Sequence, residues 1–265
     1  MKIITLLLIM HSLLFSKVYY SKVEPYELRS ISSNVSGLVL FIDEDMLGKK
    51  LSSKPYIKID SELDSSELRL LKDKLRFTNN TIASNESILV NLRKSLLKKR
   101  VNYKRVQKLK IKSTVEKDRD FHDLVSSENL YLNTQKEINN LKVQVTDLKL
   151  RQKQLQRSIK DKSLRAKNFV LYSILVKTGQ VVGIATPLAQ VADISHAVLT
   201  IFLDEKEVKN AKNKIIYIDG VKSKYKISRV LNIADSKNIS KYKAQIVIDT
   251  PEIFSKLVQV ELKNE

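Results

Sequence analysis

Cysteine and tryptophan are both absent from the 265 residues of this chain. Without cysteine, the protein can form no disulfide framework and offers neither a thiolate metal site nor a cysteine nucleophile. Only three histidines occur, His11, His122 and His196, and none is accompanied at ligand spacing by Asp or Glu. No nucleophile–base pair and no phosphate-binding loop is recognisable either. The sequence therefore predicts a protein that is not an enzyme and that has no metal site and no cofactor.

Glycine and proline are scarce, with five and four residues, and none of them lies between Ser61 and Arg165. Both residue types interrupt helices, glycine through its flexibility and proline through its missing N–H group. A stretch of about 105 residues without either predicts long, uninterrupted helices. The helix breakers flank this stretch instead, at Gly37, Gly48, Gly179, Gly183, Gly220, Pro25, Pro55, Pro187 and Pro251.

Apolar residues recur within this stretch at alternating steps of three and four, in two separate runs. The first run, Leu68 to Val106, has 9 apolar residues at its 12 positions, and the second, Leu124 to Lys162, has 8 of 12. Heptad spacing sustained over more than three repeats is typical of a coiled coil. The segment Ile111 to Asp120 loses this period, is rich in charge and offers Ser113 and Thr114 as helix caps. The sequence predicts an antiparallel helical hairpin with its tip in this segment.

The predicted hairpin brings Leu89 and Leu92 near the level of Ile138 and Leu141, within one heptad. An arm of roughly 45 to 50 residues reaches about 70 Å at the helical rise per residue. Such an arm spans a distance, although the heptads alone are equally compatible with a generic coiled-coil spacer or a dimerisation rod. About 160 residues remain for everything else, so the globular part of the chain is small.

Positive charge is in excess, with a net charge of +19, and it is concentrated between Arg93 and Lys112, where ten Lys or Arg residues occur without an acid. Such a run is able to bind nucleic acid through counterion release. Tyr103 is, however, the only aromatic residue within it, and its basic residues occupy the outer positions of the coiled coil. We therefore favour a solvated surface or an acidic partner, and no nucleic acid.

The N-terminus has the pattern of a secretory signal peptide, residues 1–16. Met1 and Lys2 form a short positive region, and the apolar run from Ile3 to Phe15 is too short to span a bilayer. Ser16 is the expected last residue of the signal, and a segment that stays uncleaved would be a weak membrane anchor. Export of a chain without cysteine fits a bacterial periplasm.

Short β-forming segments lie on both sides of the hairpin, separated by glycine or acidic turns. The group before the hairpin is too small to close a core alone, and the group after it repeats the same pattern: strand, polar turn, Val or Leu, glycine, then a strand that ends in Asp. This repetition predicts two halves of one small β-domain with the hairpin inserted between them.

The region after Ile194 favours β-strands again. Asp219 and Gly220 form a good hairpin-turn signal between two apolar runs. Asp204 to Asn213 is a candidate for a short polar helix. The predicted strands are Val198 to Leu203, Ile215 to Ile218, Val221 to Ile227, Ala244 to Ile248 and Val258 to Leu262.

Taken in order, these segments resemble the split lipoyl domain of periplasmic adaptor proteins, also called membrane fusion proteins, of efflux and secretion systems. The resemblance implies an α+β fold in which a long antiparallel coiled-coil α-hairpin is inserted between two halves of a lipoyl-like β-domain, followed by a small β-barrel. It is carried by Gly37-Leu38-Val39, Gly48-Lys49-Lys50-Leu51 and Ile59-Asp60 before the hairpin, and by Thr178-Gly179-Gln180-Val181-Val182, Gly183 and Pro187 to Asp193 after it.

The resemblance also implies an order of domains. These are a signal peptide at 1–16, the first strand of the β-barrel at 17–33, lipoyl-like half 1 at 34–60, the coiled-coil α-hairpin at 61–165, lipoyl-like half 2 at 166–193 and the β-barrel at 194–265. The turns of the lipoyl-like halves are assigned to Gly37, Gly48, Gly179 and Gly183.

Carrier domains of the lipoyl and biotinyl type bear a modified lysine on the turn that joins their halves. The hairpin takes that place here, so the resemblance implies no carrier cofactor. Two features depart from the family pattern: Asp43-Glu44-Asp45 lacks the usual glycine after its first acid, and Ala166-Lys167 stands where Ala-Pro is usual.

The predicted tip is the expected docking site. Adaptors that dock on an outer-membrane duct often show Arg, Leu and Ser around the turn, and Arg105, Leu109 and Ser113 occur here in that order, with a shorter interval between Leu and Ser. An Arg near a helix end is suited to bidentate bonds with carboxylates of a neighbouring helical hairpin. The alternative is that these are an ordinary surface Arg, a Leu at the edge of the seam and a capping Ser.

The function implied is that of a periplasmic adaptor that bridges an inner-membrane transporter and an outer-membrane channel and assembles with further copies into a ring. It would be associated with the inner membrane through its transporter partner. The alternative from a different class is a periplasmic holdase, in which basic helical arms bind acidic or unfolded client proteins.

Overall fold

The computed structural model describes residues 17–235, 238 and 240–264. The predicted signal peptide, residues 1–16, lies outside the described residues. The chain divides into two compact units. The helical unit is Ile59–Ser163, and the β-unit comprises the residues up to Lys58 together with those from Leu164 onward.

Two long helices form the helical unit, α1 (Glu62–Gln107) with 46 residues and α2 (Thr114–Asp161) with 48. At the usual rise per residue, α1 is about 69 Å long. Acidic residues occupy the first turn of α1 and basic residues its last turn, where they complement the partial charges of the helix ends. No helix within the described residues combines the length and the apolar character that a bilayer span requires.

The helices α1 and α2 pack against each other along the predicted heptad seam. All twelve positions of each run are buried or half-buried. Leu75, Ile82, Ile138 and Val145 are the buried centre of this seam. Because most other positions of both helices are exposed, the apolar repeat accounts for most of the packing of the hairpin.

An ion pair across the hairpin shows the register of the two helices. Lys142 Nζ lies 2.8 Å from Glu86 Oε1. Since the helices run antiparallel, Leu89, one turn beyond Glu86, is level with Ile138, one turn before Lys142. Leu89 and Leu141 both pack on the central seam cluster. The predicted register of the hairpin is thus confirmed within one heptad.

The turn between the helices is shorter than predicted and begins earlier in the chain. Since α1 ends at Gln107 and α2 begins at Thr114, only residues 108–113 lie between them. The expectation that the break extends from Ile111 to Asp120 is therefore wrong from Thr114 onward. The physical reason is that Ser113 caps α2, so the helix starts directly after the turn.

Twelve strands and a third, short helix, α3 (Glu205–Val208), occur in the rest of the described chain. The strands are β1 (Val18–Ser32), β2 (Gly37–Ile42), β3 (Ile57–Ile59), β4 (Ser163–Leu164), β5 (Val170–Ile174), β6 (Val181–Val182), β7 (Pro187–Asp204), β8 (Ile215–Ile218), β9 (Val221–Lys222), β10 (Ile227–Ala234), β11 (Lys241–Asp249) and β12 (Leu257–Lys263).

The smaller sheet has the strand order β4-β3-β2-β6 and joins segments from both sides of the hairpin. Strand β2 precedes the hairpin and β6 follows it, and they pair antiparallel with Gly37 opposite Val182 and Leu38 opposite Val181. The predicted insertion of the hairpin between two halves of one lipoyl-like domain is confirmed by this pairing.

The larger sheet has the order β10-β11-β7-β1-β12-β8-β9, with β5 also paired to β7. Residues Val18 to Lys22 of β1 pair with β12, and Val23 to Ser32 pair with β7. Pro25 lies beside a register shift in the second pairing, which is where a residue without an N–H group is tolerated in a sheet. The first strand therefore lies between β12 and β7.

The core of the β-unit lies among the strands of the larger sheet. Leu199, Leu203, Ile216, Ile246 and Val260 are completely buried there. Burying each side chain of this size contributes roughly 1.5–3 kcal/mol to folding. Strands from both ends of the chain contribute to this one core, because β1 and β12 pair side by side.

Several predictions for the C-terminal region are wrong in detail. The segments predicted as separate strands at Pro187 to Asp193 and Val198 to Leu203 form the single 18-residue strand β7. The predicted strand Val221 to Ile227 is replaced by the two-residue β9 and by β10, an unpredicted strand that begins at Ile227. The helix predicted at Asp204 to Asn213 is divided into α3 and a 3-10 turn, Ala211–Asn213.

Candidate docking site at the hairpin tip

Ser113 fixes the start of α2 at the tip of the hairpin. Its hydroxyl accepts a hydrogen bond from the Glu116 N–H at 3.3 Å, and Glu116 Oε2 accepts from the Ser113 N–H at 3.0 Å and from the Ser113 hydroxyl at 3.1 Å. This capping box satisfies N–H groups that have no partner within the helix. The N–H and hydroxyl of Ser113, together with the Lys112 ammonium, lower the pKa of Glu116 below its usual value. Ser113 is therefore engaged in capping.

Arg105 lies in the last turn of α1 and is exposed. Its Nη2 donates a hydrogen bond to Asn102 Oδ1 at 2.7 Å, one turn back along the same helix. Together with Leu97 and Val101, it lines a shallow groove on the outer surface of α1. The guanidinium is thus placed on the flank of the helix near its end.

Leu109 is the third predicted docking residue. It lies in the turn that connects α1 and α2, and 44% of its surface is exposed. Two further apolar residues at the tip are more exposed: Ile111 exposes 96% of its surface and Val115 exposes 77%. Neither residue was predicted from the sequence to belong to the docking site. The exposure of Ile111 was recognisable, because Ile111 stands between Lys110 and Lys112 and belongs to neither heptad run.

Aromatic rings connect the helices just below the turn. The rings of Tyr103 on α1 and Phe121 on α2 lie 5.8 Å apart, and Phe121 is also 5.8 Å from the ring of His122. Gln107 Nε2 donates to the Tyr103 hydroxyl at 2.7 Å. Such tilted aromatic pairs contribute about 0.5–1.5 kcal/mol beyond their burial, so the end of the hairpin has its own packed support.

The basic run from Arg93 to Lys112 lies along the last third of α1 and into the turn. Acidic residues of α2 neutralise part of it: Lys99 is 3.0 Å from Asp123, and Arg100 pairs with Glu128. The other basic side chains of the run remain largely exposed. The tip end of the hairpin is therefore a positively charged surface, which suits an acidic partner.

Two of the predicted lipoyl turn glycines occupy corresponding positions in the two halves. Gly48 and Gly179 have φ angles of 74° and 85°, which glycine adopts without strain. The Gly48 N–H donates to the Leu171 carbonyl at 2.8 Å, and the Gly179 N–H donates to the Val39 carbonyl, also at 2.8 Å. Each half thus donates a hydrogen bond to the carbonyl of a fully buried residue of the other half.

The other two predicted glycines are also held in the β-unit. Gly37 begins β2 and pairs with Val182, while the Gly183 N–H donates to Thr186 Oγ1 at 3.0 Å. The four glycines therefore serve the turns and pairing of the lipoyl-like sheet, whereas Arg105, Leu109 and Ser113 belong to the end of the helical unit.

Exposed apolar residues form a stripe on each helix, away from the seam. The stripe of α1 consists of Leu70, Phe77 and Ile88, and the stripe of α2 consists of Leu132, Val143 and Leu150. Intervals of seven and eleven residues return to nearly the same face of a helix, and both stripes use these two intervals. From the base of the hairpin toward its tip, each stripe has an interval of seven residues followed by an interval of eleven residues.

No known protein family matches the chain by sequence, and no curated protein matches it. Solved structures do match. MacA from Actinobacillus actinomycetemcomitans is 18% identical with a TM-score of 0.63, and the match covers 93% of this chain and 78% of that one. A MacA–MexA chimera containing the Pseudomonas aeruginosa MexA α-hairpin domain is 15% identical with a TM-score of 0.63, covering 94% and 81%.

A third match is the membrane fusion protein Spr0693 from Streptococcus pneumoniae R6. It is 11% identical with a TM-score of 0.58, and the match covers 94% of this chain and 100% of that one. These similarities confirm the fold implied by the resemblance to periplasmic adaptor proteins, with a long helical hairpin inserted into a β-unit.

Proposed function

We propose that the protein is a periplasmic adaptor subunit of a tripartite efflux or secretion system, and that it bridges an inner-membrane transporter and an outer-membrane channel. The observation that carries this proposal is the fold, which is similar to the full length of a membrane fusion protein. The proposed location is the periplasm, with association to the inner membrane through the transporter.

The hairpin is suited to a mechanical role. Its two helices bury a continuous heptad seam, and α1 alone extends about 69 Å. A stiff rod of this length holds its tip at a fixed distance from its base, which a bridge between two membrane proteins requires. The charge of the tip supports an acidic surface on the channel as its contact.

Self-assembly into a ring is part of the proposal, and the two apolar stripes support it. The stripes lie on different helices of the hairpin and have the same spacing. If the α1 stripe of one copy packs on the α2 stripe of the next, each copy makes two head-to-tail contacts, one through each stripe. Repeated contacts of this kind close into a ring when the rotation permits.

The test of docking compares two charge reversals on the same helix. Arg105→Glu places a carboxylate at the tip, while Arg93→Glu changes the net charge equally but three turns lower on α1. We expect Arg105→Glu to abolish copurification with the channel and to abolish transport, with folding and membrane association retained. Arg93→Glu should have a much smaller effect.

Two other outcomes have distinct meanings. Equal losses from both variants would indicate general electrostatic binding, as expected for a holdase with basic arms that bind acidic clients. If neither variant reduces copurification or transport, the tip is not the docking site, since a reversed charge that faces carboxylates weakens binding.

A further inference from the structure

Three aliphatic residues lie close together in the sequence at the end of the hairpin: Leu109, Ile111 and Val115. We call them the apical apolar residues. Ile111 is 96% exposed and Val115 is 77% exposed, so neither contributes to the seam. Single exposed apolar residues are common on protein surfaces. Here three occur within seven positions at the turn of the hairpin, and two of them, Ile111 and Val115, are largely exposed among the described residues.

The polar residues of the tip are already engaged in local structure. Ser113 and Glu116 form the capping box, and Arg105 donates a hydrogen bond to Asn102. Among these tip residues, Ile111 has the side chain that makes the least contact with the rest of the hairpin. A docking contact that relied on Ser113 would have to break the cap that stabilises the start of α2.

Lysines surround the apical apolar residues. Lys108, Lys110 and Lys112 alternate with Leu109 and Ile111 along the turn, and Lys108 and Lys110 are exposed. Lys112 is 3.3 Å from Glu116, so its charge is partly compensated. The turn thus presents an apolar centre with a positive border.

We infer that Ile111 inserts into the partner of the tip, and that this partner is a protein surface with an apolar socket bordered by carboxylates. The inference rests on the proposed function and names the contact through which docking occurs. The capping box and the Tyr103–Phe121 pair hold the turn in place before binding. A preorganised contact loses less conformational entropy when it forms.

An anionic lipid surface is the competing partner for a basic, apolar turn. One observation favours a protein instead. The two aromatic side chains on either side of the turn, Tyr103 and Phe121, pack on each other, and neither belongs to the turn itself, where a membrane anchor would use an aromatic side chain.

The test replaces Ile111 in the full-length chain with a photoreactive phenylalanine analogue and irradiates cells of the native host. Mass spectrometry then identifies the molecule bound to position 111. We expect one protein, crosslinked at a segment in which apolar residues are flanked by Asp or Glu. The same analogue at Val90, an exposed position lower on α1, should not give this product.

A second measurement uses the partner identified in this way. Ile111→Ser should reduce copurification of that protein at least tenfold, while Val90→Ser should leave it unchanged. Purified full-length protein is also sedimented with phosphatidylglycerol vesicles, and we expect Ile111→Ser and the unchanged chain to sediment equally.

The outcomes separate this inference from the proposed function. If Arg105→Glu abolishes docking and Ile111→Ser does not, the channel contact stands and the insertion of Ile111 is overturned. If position 111 crosslinks to phospholipid and Ile111→Ser lowers vesicle binding, lipid is the partner and the inference is wrong. Crosslinks to many unrelated proteins, or none at position 111, would overturn the inference as well.

Discussion

At the scale of single residues, the capping box of Ser113 and Glu116 decides where the tip ends and α2 begins. The Glu116 N–H donates to the Ser113 hydroxyl at 3.3 Å, and the Ser113 N–H donates to the Glu116 carboxylate at 3.0 Å. The Glu116 carboxylate is the ionised acceptor, and bonds from Ser113 and Lys112 lower its pKa. Because an ionised acceptor strengthens such bonds, the shape of the tip depends on the charge of one side chain.

This dependence predicts a change of tip stability with pH. The pKa of Glu116 in the folded chain lies below its ordinary value of 4.5, so the carboxylate stabilises the tip fully above about pH 4.5 and loses this contribution as the pH falls through the folded-state pKa. Hydrogen-exchange protection of the first turn of α2 should therefore decrease in acid. Glu116→Gln should remove this pH dependence, and an unchanged pH profile in that variant would assign the loss to another group.

At the scale of elements, the hairpin owes its stability to one apolar seam. Ile138 exposes only 3% of its surface and packs with Leu75, Ile82 and Val145. Most ion pairs of the hairpin, such as Glu86–Lys142, are exposed on both partners, and exposed pairs typically contribute only about 0.2–1 kcal/mol. The seam therefore carries most of the free energy that holds α1 and α2 together.

The buried seam predicts different effects for an alanine substitution within it and for one at an exposed control position. Ile138→Ala removes buried methyl groups and leaves a cavity, so it should lower the free energy of unfolding of the hairpin by about 2–5 kcal/mol. Val101→Ala, at a position that is 68% exposed, should change it by less than about 0.5 kcal/mol. Thermal unfolding followed by circular dichroism measures both, and equal losses would show that the seam is not the stabilising element.

At the scale of the whole molecule, the proposed ring requires contacts between copies of the chain. Phe77 is the largest residue of the α1 stripe and is 61% exposed. Phe77→Glu would place a charge in an apolar contact that excludes water, at a large desolvation cost. Sedimentation of the full-length chain should show self-association weakened at least about tenfold by this variant, since 1.4 kcal/mol corresponds to a factor of ten.

Val90→Glu is the matched control for self-association, because Val90 is 54% exposed on α1 but lies far around the helix from the stripe. It should leave the assembly unchanged. If both variants weaken self-association equally, added negative charge is the cause; if neither does, the stripes are not the interface.

The sequence by itself determined the hairpin. Helix breakers are excluded from the stretch, and the heptad period specifies which face of each helix is buried, so the seam and its register follow from local pattern. Two glycines assigned to turns of the lipoyl-like halves, Gly48 and Gly179, adopt a backbone conformation that other residues rarely adopt.

Only the tertiary structure decided how the β-segments combine and what the tip presents. Residues 194–196 interrupt the apolar pattern, yet β7 continues through them: β1 pairs with β7 before and after a register shift at this point, and β11 pairs with it from His196 onward. Strand β10 escaped prediction because most of its side chains are exposed and give no buried alternation. At the tip, Ser113 was recognisable in the sequence as a helix cap, whereas the exposure of Ile111 follows from where the two helices end.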